Sequence, residues 1–88
     1  MNTTSEAVRL LEQALNTTRQ ATGTIDQLIA DHDYQDVASL VSQAAAALLE
    51  SAAALMQADD AAALEAIEKA DDLLDAVYDI IDADLDEG

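Results

Sequence analysis

Cysteine, proline, tryptophan and phenylalanine are all missing from this chain of 88 residues, and glycine occurs only twice. Without cysteine there is no disulfide and no thiolate to hold a metal, and a single histidine, His32, leaves a structural zinc site short of ligands. Two tyrosines, Tyr34 and Tyr78, are the only aromatics, too few for a platform on which nucleic-acid bases could stack. Positive charge is scarce as well. Arg9, Arg19 and Lys69 stand against nineteen acids, for a net charge of −16, which repels nucleic acid and anionic membrane alike. No uninterrupted apolar run approaches the roughly 18 residues of a membrane span. The opening MNTTSEAVRL has neither the basic start nor the apolar centre of a signal peptide. The expectation is a cytoplasmic protein that binds neither membrane nor nucleic acid.

An acidic chain poor in aromatics can be disordered, but here 51% of the residues are apolar and they recur periodically. Twenty are alanine, the best helix former, and no proline interrupts them. Val8, Leu11, Leu15, Thr18, Thr22, Ile25 and Ile29 alternate three and four apart, which predicts a first helix over residues 4–30. Thr3 with Glu6 three later forms a capping-box pattern at its start. Gly23, followed by Thr24 and Gln27, is its weak point, where it could kink or divide. A turn at His32, with Asp33 as cap, leads to a second helix over 34–57 that should bury Val37, Val41, Ala44, Leu48, Ala52 and Leu55, with Leu40, Leu49 and Met56 on the flanks. A turn at Asp59 leads to a third over 60–84, burying Leu64, Ile67, Ala70, Leu74, Val77, Ile81 and Leu85. Three long helices joined by short turns run up, down and up. The fold expected is all-α, an antiparallel three-helix bundle forming one domain over residues 1–88.

Two local likenesses are limited in extent. ALEAIEKADDLL resembles the second helix of a tetratricopeptide repeat, with Ala63, Ile67 and Ala70 at that family's small, bulky and small positions. The internal offset, however, is 26 residues where that repeat has 34, so the likeness implies only a helical hairpin. DADLDEG, with Asp82, Asp84 and Asp86 at alternate positions, resembles the start of an EF-hand calcium loop. Gly88 falls one position late, and no glutamate stands at position twelve. On a helix, alternate positions also point about 200° apart, so no metal site is expected.

Asp71, Asp75, Asp79 and Asp82 instead form a solvated face of one sign on the third helix. Residues 59–88 hold twelve acids and only Lys69. Thirteen aspartates, six glutamates and one lysine resemble the surfaces of proteins from extreme halophiles, where molar salt screens such charges. His32, between Asp31 and Asp33, lacks the surroundings of a phosphotransfer histidine and reads as an exposed turn residue. No phosphate loop or nucleophile motif exists, so neither catalysis nor a cofactor is expected.

The segment AAAALLESAAALM is the most informative. Between Val37 and Ala58 the only charge is Glu50, and the polar stripe Ser39, Gln43, Glu50 and Gln57 is broken by Ala46 and Ala53. So little polar surface implies a partner. The expectation is helix-to-helix association around Ala46, Ala53 and Ala54, as a homodimer or other homo-oligomer. The alternative is an accessory or regulatory subunit binding a larger protein through its apolar second helix or acidic third helix.

Overall fold

The computed structural model describes residues 3–28 and 34–87, which form three α-helices: α1 (Thr4–Asp26), α2 (Gln35–Met56) and α3 (Asp60–Glu87). No strand occurs among the described residues. The fold is an all-α three-helix bundle. The turn predicted at His32, with Asp31 and Asp33, lies outside the described residues, as do Gly88 and the side chains of Asp84 and Asp86.

At the start of α1, Thr3 is extended and its Oγ1 accepts from the Glu6 N–H at 3.2 Å, one arm of the capping box. The helix passes through Gly23 unbroken and ends at Asp26, four residues short of the predicted end. There the Gln27 N–H bonds the Gly23 carbonyl at 3.1 Å and Leu28 bonds that of Ile25 at 3.3 Å, tightening the last turn.

The α2–α3 connection is compact because its hydrogen bonds close on both sides. Asp59 N–H donates to the Ala54 carbonyl at 2.9 Å, and Ala58 N–H to that of Leu55 at 3.1 Å. Those two bonds define a Schellman motif, in which the residue after the cap adopts a left-handed backbone. That residue is Ala58, at φ 57. Asp59 then starts α3 by accepting the Ala62 N–H at 3.1 Å through Oδ1, so two residues end one helix and begin the next.

Helix α2 is the middle element. It packs against both α1 and α3, whereas no Cα of α1 comes within 8 Å of one of α3 among the described residues. The seven-residue series Ser39, Ala46 and Ala53 is buried toward α1, where Ser39 Oγ donates to Asp26 at 2.6 Å. A second series, Val37, Ala44 and Ser51, is buried with Ala47 on the remaining packed side, that of α3. Across from it lie the buried Ala63, Ala66, Ala70 and Val77. The core is thus alanine, serine and two valines, and no large side chain is fully buried.

This corrects the core expected from periodicity. Val37, Ala44, Ala70 and Val77 are buried as expected, and Leu74 and Ala52 are half-buried, but Val41, Leu48, Leu55, Leu64, Ile67, Ile81 and Leu85 are exposed. The cause is steric. Two helices that meet along alanine approach more closely than two that meet along leucine, and the larger side chains are displaced around the circumference to the outside.

Candidate association face

On α2 the buried Val37, Ala44 and Ser51 are matched, four residues further on, by the exposed Val41, Leu48 and Leu55. On α3 the buried Ala63, Ala70 and Val77 are matched in the same way by Ile67, Leu74 and Ile81, the first and last exposed and Leu74 half-buried. Four residues carry a position about 40° around a helix. Because the two helices run antiparallel, the same rotation on each brings both stripes to one side of the hairpin. That side is an apolar face with a seven-residue repeat, the spacing of a helix-packing seam. Tyr78 and Leu85 adjoin it on α3.

Two of the three alanines expected at an association surface are used within the chain. Ala46 and Ala53 are each 9% exposed, and Ala54 is half-buried. A surface already covered by α1 cannot receive a partner, so the free apolar side of α2 is centred on Leu48. Sequence periodicity finds these larger residues but assigns them to the core.

The α1–α2 seam, by contrast, adds polar contacts to the buried Ala46 and Ala53. The hydroxyls of Thr22 and Ser42 share a hydrogen bond, and Gln35 Nε2 donates to the Ile25 carbonyl at 2.7 Å. Arg19 pairs with Glu50, the one charge in the middle of α2. Arg19, Thr22, Gln43, Glu50 and Lys69 line an open cleft of about 180 Å³ between α1 and α3. Arg19 already has a counter-ion there, which leaves Lys69 as the cleft's free positive charge among those lining residues.

Asp71, Asp75, Asp79 and Asp82 are all exposed on α3. Among the described residues no three acidic or histidine side chains converge as metal ligands would. Helix α2 is long and apolar enough to cross a membrane by length and composition alone, with a mean hydropathy of 1.4 over its best stretch. Its polar residues Ser39, Ser42, Gln43 and Glu50 are spaced so that no run is unbroken, yet the 18-residue average remains high. No protein-family model, no curated protein and no solved structure matches this chain.

Proposed function

We propose that this protein is a non-enzymatic helical association module with a halophile-type surface, and that it works through the apolar side of its α2–α3 hairpin. One observation carries the reading. Val41, Leu48, Leu55, Ile67 and Ile81 of these two helices lie exposed beside a core of alanine, serine and two valines, the reverse of what an isolated small domain needs for stability. An exposed apolar face of this extent on so short a chain favours a protein contact. The polar contacts of α2 with α1, through Ser39, Ser42 and Glu50, favour that role for α2 over a membrane span. The acids of α3 serve solvent: their hydration keeps an apolar-faced protein dispersed at high salt.

A second reading, an accessory subunit of a larger protein, draws support from the exposed acids of α3, of which Asp75 and Asp79 lie on the outer side and Asp71 and Asp82 border the apolar face beside Tyr78. The test is binding of an apolar fluorescent dye in molar KCl by the natural chain and by Leu48→Lys and Leu55→Lys. The proposed function requires that either the natural chain binds dye and the variants do not, or the natural chain is already associated and the variants come apart. A monomeric natural chain that ignores the dye would refute it.

A further inference from the structure

We infer that the occupant of the α2–α3 face is a second copy of this chain, docked by a two-fold axis so that two hairpins form a four-helix core with α1 on the outside. The inference rests on the association reading above and names its partner.

Area is the first argument. The exposed portions of Val41, Leu48, Leu55, Ile67 and Ile81, with Tyr78 and Leu85 beside them, amount to roughly 700 Å², close to the ~800 Å² that each partner contributes to a stable interface of standard size. Pattern is the second. A two-fold contact sets one surface against itself, and both helices of this hairpin carry their large residues at the same seven-residue interval and the same offset from their buried seam. Two such hairpins laid face to face bury Leu, Ile and Val between helices, the composition of a four-helix bundle interior.

Charge is the third. Self-association of a chain with net charge −16 is possible only through a surface that holds little of it. The α2 stripe through Val41, Leu48 and Leu55 has no charged residue, since Glu50 is turned to Arg19 on the α1 side. A basic partner would be drawn to the outer side of α3, where most of the acids are, and would meet on this face only Asp71 at its edge, beside Ile67 and Tyr78. The uncharged stripe therefore fits a copy of itself better than a partner selected by charge.

The experiment is sedimentation equilibrium of the full chain at tens of micromolar in molar KCl, with circular dichroism as a check on folding. The natural chain should sediment at twice its 9.3 kDa mass. Leu48→Lys and Ile81→Lys, each at an exposed position outside the core, should sediment as monomers and remain helical. Leu10→Lys, equally exposed but on α1, should stay dimeric. A dimer indifferent to both face variants would place the contact elsewhere and overturn this inference together with the association reading. A monomeric natural chain that binds an apolar dye, lost in Leu48→Lys, would overturn the second copy alone and leave the face to a different protein. A monomer without dye binding would overturn both.

Discussion

Ala47 is 1% exposed and Leu48, the next residue, is 48% exposed. The smaller side chain takes the helix seam and the larger one is left outside. This pair carries the logic of the fold, and it separates two kinds of stability. Ala44→Leu, at the 2% exposed seam position one turn before Leu48, forces three extra carbons between α2 and α3, and overpacking of this kind costs about 1–3 kcal/mol. The loss should appear in chemical denaturation at every protein concentration. Leu48→Ala removes a side chain that the isolated chain covers only by about half, so its larger effect should fall on the part of the stability that rises with concentration. Equal, concentration-independent losses for both would show that Leu48 belongs to the core of the single chain.

Helix positions were legible in the sequence because periodicity, caps and the absence of proline act locally. Thr3 and Asp59 receive the amide bonds that their cap patterns imply. The core was not legible in the same way. Val41 and Ala44, or Ile67 and Ala70, are both apolar and only three residues apart, so one hydrophobic stripe wide enough to include both can dock along either edge. Which edge is chosen depends on how close the helices can come, a property of side-chain volume across the pair. The available signal was the coincidence of two parallel seven-residue series, one small and one large, on both helices. The cleft between α1 and α3 was likewise invisible, because it depends on α2 being the middle element.

Ala58 holds the left-handed position of the Schellman turn, at φ 57. A Cβ in that conformation costs about 1 kcal/mol or more, and glycine avoids the cost. Ala58→Gly is therefore expected to stabilise the chain by roughly 1 kcal/mol less the extra entropy glycine has when unfolded, raising the melting temperature by a few degrees. A lower melting temperature would mean that the turn is not held in this form.

Arg19 and Glu50 join α1 to α2, with side chains 59% and 33% exposed. An ion pair so open to solvent is worth only about 0.2–1 kcal/mol and is screened by salt. A double-mutant cycle with Arg19→Ala and Glu50→Ala should give a coupling energy in that range in dilute buffer and close to zero in molar KCl. Coupling that persists at high salt would show that the pair is shielded and that α1 is tied to α2 chiefly by charge, not by the hydroxyl and amide contacts of Thr22, Ser42 and Gln35.

Residues 59–88 hold twelve acids against Lys69 alone, a net charge of −11 along what is essentially one helix. At 0.01 M salt the Debye length is ~30 Å, so these carboxylates repel one another along much of α3; at 1 M it is ~3 Å and neighbours hardly interact. Each exposed pair contributes only tenths of a kcal/mol, yet they all act on a core of alanine and serine with little reserve. Folding should therefore strengthen with added KCl. The sign follows from the native state, which holds the charges closer together than the unfolded chain does and gains more from screening. Asp75 and Asp79 are both exposed, so replacing them with lysine disturbs no packing while it removes four units of negative charge from the middle of the helix. The doubly substituted chain should reach half-folding at a lower salt concentration than the natural one when the two are compared by circular dichroism in a KCl titration. Equal helicity and melting temperature of the natural chain from about 0.05 to 3 M KCl would show that the acids of α3 are not an adaptation to salt, and would make that face, with Asp71, Asp75, Asp79 and Asp82, the better candidate for binding a larger protein.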